Sequence, residues 1–220
     1  MAITIFAGHY GSGKTNLAVN YALELRKQVA GALVLCDMDI VNPYFRTADY
    51  AKLLAERGIE LISSSYANSN VEAVWYPTRA ARVFDDAALT SIIDLGGDDC
   101  GALALGRYAA RIKGRGDVNL LMAVNPCRPL TRDVGGLLQI KHEIEKAAGI
   151  RFSGMVNNTN LGEGTTADIV KEHMGLVREM SRALALPIVI TAIPATIPLE
   201  VPATFGRRLD IVRYPNRFGA

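Results

Sequence analysis

Short apolar runs alternate with amphipathic helical patterns along most of the chain. Apolar runs of four to six residues predict buried strands, and they occupy 3–7, 32–36, 59–62, 91–95, 119–124, 152–156 and 188–193. Apolar residues that recur every three or four positions predict helices over 13–29, 99–113, 131–148 and 166–186. A further helix is predicted to begin at Asn42-Pro43, an N-cap followed by proline, and to end near Gly58. Residues 63–89 fit neither pattern clearly.

This alternation of strands and helices predicts an α/β fold. Each strand–helix–strand unit joins parallel strands, so we expect a mostly parallel, doubly wound sheet with helices on both faces, in three layers. The chain has no internal repeat and no linker-like segment, and we therefore predict a single domain over 1–220. Ligands in such sheets bind beyond the carboxyl ends of the strands.

Two further apolar faces are predicted to pack inward. The helix over 131–148 places Val134, Leu137, Leu138 and Ile144 on its inner side. Near the end of the chain, a short helical pattern places Phe205, Leu209 and Val212 on one side, and Pro215 interrupts it. We expect this last segment to pack onto the domain rather than to bind a membrane.

Composition excludes several classes of protein. The 220 residues are 50% hydrophobic and 21% charged, which is enough for a sizeable core and excludes a largely disordered chain. Lys and Arg number 24 against 22 Asp and Glu, so bulk charge indicates neither a nucleic-acid nor a membrane partner. The longest apolar runs are far shorter than the roughly 18 residues that span a bilayer, and no secretory signal is evident. Cys36, Cys100 and Cys127 form no CxxC pair, which favours a reducing cytoplasm.

One glycine-rich segment carries the strongest chemical signal. It follows the first predicted strand, opens the first predicted helix and consists of Gly8, His9, Tyr10, Gly11, Ser12, Gly13, Lys14 and Thr15. The pattern is G-x-x-x-x-G-K-[ST], in which backbone N–H groups and the helix N-terminus surround nucleotide phosphates. Lys14 would reach the β- and γ-phosphates, and the Thr15 hydroxyl would be a Mg²⁺ ligand.

Carboxylates at the ends of two other predicted strands agree with a phosphate site. Asp94 ends a buried strand and is followed by Gly97 in a D-x-x-G turn, where it could hold the metal and a glycine N–H could sense the γ-phosphate. Asp37 and Asp39 follow the second strand, and one of them could orient or deprotonate an attacking water.

The spacing of these three motifs resembles that of the MinD/ParA-like P-loop ATPases, over nearly the whole chain. The resemblance implies ATP and Mg²⁺ as cofactors, with metal ligands Thr15, Asp94 and Asp39. It also implies slow ATP hydrolysis, in which the bound nucleotide acts as a switch that controls an unidentified protein partner. It implies that Asp39 positions the hydrolytic water and that Asn157 or Asn158 contacts adenine. It also implies that the segment around Pro194 closes over the base.

One departure from that family concerns the start of the loop. The family pattern K-G-G-x-G-K-[ST] has a second lysine that reaches the partner's nucleotide in an ATP-dependent dimer. This chain has His9 and Tyr10 at the corresponding positions. The sequence therefore leaves open whether the protein is a monomer or an ATP-dependent homodimer.

Two other functions remain open at this stage. A small-molecule kinase or ATP-dependent ligase would use Arg46 and the aromatic segment 64–77 to bind an acceptor. An ATP-sensing adaptor or metallocentre accessory protein would leave the chemistry to its partner. The sequence assigns His142 and His173 to surface or packing positions, and the basic run over 107–115 to a solvated helix face.

Overall fold

A single parallel sheet organises the chain. The computed structural model describes residues 2–39, 47–63, 78–97, 99–131 and 133–214. Within them, eight strands pair in parallel in the order β3-β2-β4-β1-β5-β6-β7-β8. The strands are β1 Ile3–Ala7, β2 Leu33–Met38, β3 Glu60–Ile62, β4 Thr90–Leu95, β5 Val118–Val124, β6 Gly154–Asn157, β7 Ile188–Pro194 and β8 Arg207–Ile211.

Helices cover both faces of this sheet. They are α1 Lys14–Arg26, α2 Ala51–Glu56, α3 Thr78–Asp85, α4 Asp99–Gly106, α5 Ala109–Lys113, α6 Val134–Ala148 and α7 Ala167–Leu184. Residues of α1 and α2 share one buried apolar cluster, and residues of α3 to α7 belong to the cluster on the other face. The predicted three-layer α/β fold is confirmed.

Strand β1 shows why its sequence is almost uniformly apolar. Successive side chains point to opposite faces, so Ile5 lies in one cluster and Phe6 in the other, and both are fully buried. A strand with both faces covered has no solvent side on which to place polar residues. The predicted bounds of β1 are confirmed, and β2 to β7 lie within about two residues of theirs.

Three helical predictions need correction. The helix predicted over 99–113 is two helices, α4 ending at Gly106 and α5 beginning at Ala109. Gly106 packs closely on α6, since a Cβ there would lie 2.8 Å from the Ala147 carbonyl oxygen. Helix α6 begins at Val134, after an Asp133 N-cap whose carboxylate accepts from the Gly136 N–H, rather than at 131. Leu138 is 43% exposed, so its predicted inward position is wrong.

The end of the chain packs onto the domain only in part as predicted, and with a different backbone. Phe205 and Leu209 are buried, but Val212 is 40% exposed, so its predicted inward position is wrong. Arg207–Ile211 forms strand β8 beside β7 rather than a helix. Leu209 and Ile211 alternate onto one face of the sheet, and this two-residue period was hidden by the three- and four-residue spacings around it. None of the helices in the described residues combines the length and the apolar character of a membrane span.

Other predictions concern segments that the structure does not describe. The helix start at Asn42-Pro43, the side chain of Arg46 and the aromatic segment 64–77 lie outside the described residues. Helix α2 begins only at Ala51, after a 3₁₀ turn over Thr47–Tyr50. Helix α3 occupies the end of the stretch for which the sequence gives no clear pattern.

Candidate functional site

The glycine-rich loop connects β1 to α1 at the carboxyl edge of the sheet. Two of its glycines are required by close approach as well as by positive φ. A Cβ on Gly8, at φ +141°, would lie 2.7 Å from the Ala123 carbonyl oxygen, and one on Gly13, at φ +86°, would overlap the Asn158 side-chain amide. The Asn158 amide also donates to the Ser12 carbonyl oxygen at 2.7 Å. The loop is therefore held against β5 and β6 by its backbone.

Two hydrogen-bond donors of this loop point toward the loop's own backbone. The Ser12 N–H and the Lys14 ammonium both donate to the His9 carbonyl oxygen, at 3.1 and 3.2 Å. Gly13 occupies the N-cap position of α1 and has no side chain with which to cap the first turn. Uncapped N–H groups at a helix N-terminus, next to a buried lysine, form a site for an anion such as phosphate.

The turn that follows β4 packs directly against this loop. A Cβ on Gly97 would lie 2.8 Å from the Tyr10 backbone nitrogen and 3.0 Å from Lys14 Nζ. Strand β4 lies beside β1 in the sheet, with Asp94 in register with Phe6. The structure thus brings the D-x-x-G turn to the phosphate loop.

Asp94 is fully buried at the centre of this arrangement. Thr47 donates its hydroxyl to Asp94 Oδ2 at 2.9 Å, whereas Oδ1 is buried without a partner of hydrogen-bonding geometry among the described residues. Burial raises the pKa of Asp94 to about 6, opposed by the nearby Lys14 charge and by the Thr15 and Thr47 hydroxyls. An orphaned carboxylate oxygen beside a threonine hydroxyl fits a hard, oxygen-seeking cation such as Mg²⁺.

Asp37, near the end of β2, and Asp39, just after the strand, lie close to Asp94. Asp37 is buried and in register with Asp94 on the neighbouring strand. Its Oδ1 accepts the Asp39 backbone N–H at 3.0 Å, which shapes the chain where it leaves the strand. Asp39 is close enough to Asp94 for its charge to contribute to the raised pKa of that carboxyl.

A cavity of about 410 Å³ adjoins the N-terminal end of α1. Three segments wall it, the loop after β6, the loop after β7 and the end of β8, and the lining residues include Gly13, Asn16, Asn158, Asn160, Pro194 and Arg213. Asn16 Oδ1 is buried without a hydrogen-bond partner among the described residues. Both Asn158 and Pro194, predicted near a nucleobase, lie on this wall.

The two candidate asparagines of β6 have different surroundings. Asn157 is fully buried, and its Oδ1 accepts from the N–H and hydroxyl of Thr159 at 3.2 and 2.6 Å. It is not among the residues that line the cavity, whereas Asn158 is. Of the two, only Asn158 faces the candidate base site.

Sequence reasoning missed the part that β8 plays. Asn20 of α1 accepts the Val212 N–H at 2.9 Å and donates to the Val212 carbonyl oxygen at 3.1 Å. This pair of hydrogen bonds to one residue holds the end of β8 against α1. Arg213 follows and lies 3.9 Å from Glu163 across the cavity rim. Nothing local in the sequence connects Asn20 with a residue 192 positions later.

The other basic, cysteine and histidine residues considered from the sequence lie away from the phosphate loop or outside the described residues. Arg111 is exposed and pairs with Asp85, as expected of a solvated face. Arg115 does not fit that prediction: it lies beyond α5, its side chain is only 13% exposed, and it pairs with Asp117 and donates to the Phe84 and Asp86 carbonyl oxygens. The side chain of Cys100 lies outside the described residues. His173, assigned from sequence to a surface or packing position, has its Nε2 atom 3.9 Å from the Sγ atom of Cys127.

Comparison with known proteins identifies the fold. No protein-family model matches the sequence, and no curated protein matches it. The structure is similar to the cell division protein FtsY from Thermotoga maritima, with TM-score 0.58 and 19% identity over 87% of this chain and 61% of that one. FtsY from Mycoplasma mycoides gives TM-score 0.54 and 19% identity over 88% of this chain and 60% of that one.

A third similar structure contains a nucleotide. The 54 kDa protein of the signal recognition particle from Aeropyrum pernix, in complex with GDP, gives TM-score 0.54 and 15% identity, over 84% of this chain and 39% of that one. The chain spans less than two thirds of the length of each of these proteins. The likeness shows the nucleotide-binding P-loop NTPase fold, which agrees with the phosphate loop described above.

Proposed function

We propose that this chain binds a Mg²⁺–nucleoside triphosphate, hydrolyses it slowly and acts through the bound state as a switch on a protein partner. The resemblance to MinD/ParA-like ATPases supports ATP as the nucleotide. The observation that carries the proposal is the contact of Gly97 with Tyr10 and Lys14, because it joins the turn after Asp94 to the phosphate loop. A phosphate held by the loop would contact both the loop and the turn after Asp94, so its loss would change the contacts of both segments.

The phosphate loop supplies most of the binding in this proposal. Lys14 and the N–H groups at the start of α1 would stabilise phosphate charge in a site where lysine is already buried. Thr15 and Asp94 would hold Mg²⁺, directly or through water, since their oxygens suit a hard cation. Bound Mg²⁺ would neutralise charge on the phosphate oxygens.

Asp39 would orient the attacking water in this mechanism. Asp37 would support it, because its carboxylate accepts the Asp39 N–H and so determines how the chain leaves β2. The cavity between Asn158 and Pro194 would take the nucleobase. The structure similar to this chain that holds GDP makes guanine the competitor to test against adenine.

A binding titration tests the phosphate site. A fluorescent ATP analogue, with Mg²⁺ and competing ATP or GTP, would be added to the wild type, to Lys14→Ala and to Lys27→Ala. Lys27 is exposed just past the end of α1 and serves as the matched control. We expect Lys14→Ala to lose at least tenfold in affinity, since a charge-assisted contact contributes roughly 1.5–3 kcal/mol, and Lys27→Ala to bind normally. Wild-type affinity in Lys14→Ala would overturn the proposal.

The switch itself is tested by association and turnover. Asp39→Ala should hold ATP without hydrolysing it, and light scattering with Mg²⁺–ATP and then Mg²⁺–ADP would report any nucleotide-dependent dimer. Dimers with ATP alone support an ATP-dependent homodimer that forms without the family's second lysine. Monomers in both states would show that the switch does not act through a homodimer of this chain. Wild-type hydrolysis that requires an added small molecule would refute the ATPase in favour of a kinase or ligase.

A further inference from the structure

Thr47 is a buried polar residue that belongs to none of the motifs found in the sequence. It begins the 3₁₀ turn over Thr47–Tyr50, and its side chain is fully buried. Its hydroxyl donates to Asp94 Oδ2 at 2.9 Å. Most side-chain hydrogen bonds in proteins are made to backbone or to water, whereas this one joins two side chains that lie 47 residues apart.

The turn that carries Thr47 is fixed to the core of the protein. Tyr50, the last residue of the turn, is buried in the apolar cluster that also contains Phe6 of β1 and Leu17 of α1. Leu54 of α2 is fully buried in the same cluster. Because these two side chains anchor the segment just after Thr47, core packing determines where the Thr47 hydroxyl lies.

The two oxygens of Asp94 have different surroundings. Oδ2 accepts from Thr47, whereas Oδ1 is buried without a hydrogen-bond partner among the described residues. Burial raises the pKa of this carboxyl, and the nearby Lys14 and Thr15 oppose that effect, which places both of them beside the group. Since a carboxylate is planar, the bond at Oδ2 restricts its rotation and so determines the direction in which Oδ1 points.

We propose that Thr47 is a positioning residue for the metal, because its bond to Oδ2 orients Asp94 so that Oδ1 is available to Mg²⁺ or to a water of its shell. The inference rests on the proposed function, which places Mg²⁺ at Thr15 and Asp94. Mg²⁺ requires nearly ideal octahedral geometry, so a ligand that is already oriented binds it at a lower entropic cost. Hydrogen-bond partners of metal ligands commonly have this role.

Thr47 also returns the chain to Asp94 after it has left at Asp39. Asp39 lies just beyond β2, close enough to Asp94 for its charge to act on that carboxyl. Thr47 is bonded to the same carboxyl from the other side of the connection. Metal binding at Asp94 would therefore act on both ends of the connection, one of which carries the carboxylate proposed to orient the attacking water.

A purely structural role for this bond leads to a different expectation. If Thr47 only stabilised the fold, its removal would lower the free energy of unfolding, and any loss of nucleotide affinity would be equal with and without metal. If Thr47 positions Asp94, the affinity without metal is unchanged, and only the gain in affinity that Mg²⁺ produces is lost. The ratio of the two affinities, the Mg²⁺ enhancement, separates these roles.

Nucleotide titrations with and without Mg²⁺ test the proposal. The fluorescent ATP analogue would be added to the full-length wild type, Thr47→Val and Thr47→Ser at pH 8, in excess Mg²⁺ and in chelator. Valine has the shape of threonine without the hydroxyl, and serine keeps the hydroxyl. We expect Thr47→Val to lose most of the Mg²⁺ enhancement, up to the roughly 10–100-fold typical of losing such a partner. Thr47→Ser should restore it, and affinity in chelator should stay within about twofold of wild type.

Thr131→Val is the matched control. Thr131 is also buried, but its hydroxyl donates to the Asn125 carbonyl oxygen, outside the metal site, and that oxygen keeps a second bond from the Arg128 N–H. The variant should therefore keep the full Mg²⁺ enhancement. Thr47→Val should have no further effect on the enhancement in an Asp94→Asn background, because Thr47 acts through that carboxylate.

The outcomes distinguish this inference from the proposed function. Wild-type enhancement in folded Thr47→Val, or an equal loss of affinity with Mg²⁺ and with chelator, would overturn the positioning role and leave the metal site in place. Absence of any Mg²⁺ enhancement in the wild type would overturn the metal site and this inference with it. Circular dichroism establishes that each variant is folded. If Thr47→Val is not folded, Thr47→Ala removes the same hydroxyl and replaces it in the titrations.

Discussion

Replacing Gly97 with alanine should disable the phosphate site by adding one methyl group. The added Cβ would lie 2.8 Å from the Tyr10 nitrogen, 3.1 Å from the Tyr10 Cα and 3.0 Å from Lys14 Nζ. The lysine can swing aside, but the Tyr10 backbone cannot, because Gly8 and Gly13 hold the loop against β5 and β6. The loop or the turn must therefore move by several tenths of an ångström.

The size of the effect follows from the cost of overpacking. An extra methyl group in a close-packed site costs about 1–3 kcal/mol. If binding restores the displaced loop, this cost appears as a roughly 5- to 150-fold loss of nucleotide affinity. If the displacement already costs energy in the free protein, part of it appears as a lower free energy of unfolding.

The assay is the fluorescent ATP titration, accompanied by urea unfolding of each variant. Gly175→Ala is the matched control, since its added Cβ meets nothing within 4 Å in α7. It should bind nucleotide normally and gain up to about 1 kcal/mol in stability from helix propensity. Nucleotide affinity within twofold of wild type in Gly97→Ala would show that this contact does not shape the binding-competent loop.

Two further predictions concern the buried carboxylate and the C-terminal strand. In metal-free protein, burial raises the pKa of Asp94 from 3.8 to about 6, so stability contributed by its proton is fully present below about pH 4 and is lost as the pH rises through 6. The free energy of unfolding should fall by at most about 3 kcal/mol. Urea unfolding in the presence of a chelator, from pH 4 to 7.5, should show this fall in the wild type but not in Asp94→Asn. Asp168→Asn, which changes an exposed carboxylate, is the control and should behave like the wild type. An equal slope in all three proteins would contradict the assignment. Asn20→Ala loses both hydrogen bonds to Val212 and should lower stability by about 1–3 kcal/mol. It should weaken ATP binding without changing the affinity for tripolyphosphate, and equal losses for both ligands would count against Val212 as a wall of the base cavity.

Strands β1 to β7 and the phosphate loop could be predicted because their signals are local. A buried strand must be apolar on both faces, and a loop that surrounds phosphate needs glycine at close approaches and lysine at its end. These constraints act over a few neighbouring residues. Strand β1 and the loop that follows it were therefore predicted with their observed bounds.

Predictions were less accurate where packing between elements decides the outcome. Helix α4 ends at Gly106, a position that packs against Ala147 of α6, 41 residues later in the sequence, and no pattern within 99–113 shows that contact. Strand β8 pairs with the edge strand β7, which is available only once the sheet has formed. The sequence of β8 by itself fits a short helix equally well.

Local sequence patterns specify an α/β chain with a phosphate loop and carboxylates at the ends of β2 and β4. Which distant side chains meet them depends on how the strands assemble into the sheet. Thr47 reaches Asp94, Asn20 holds Val212, and Cys127 faces His173 across separations of 47, 192 and 46 residues. Strand order determines these encounters, and it depends on the total burial and pairing energy of the sheet rather than on any one segment.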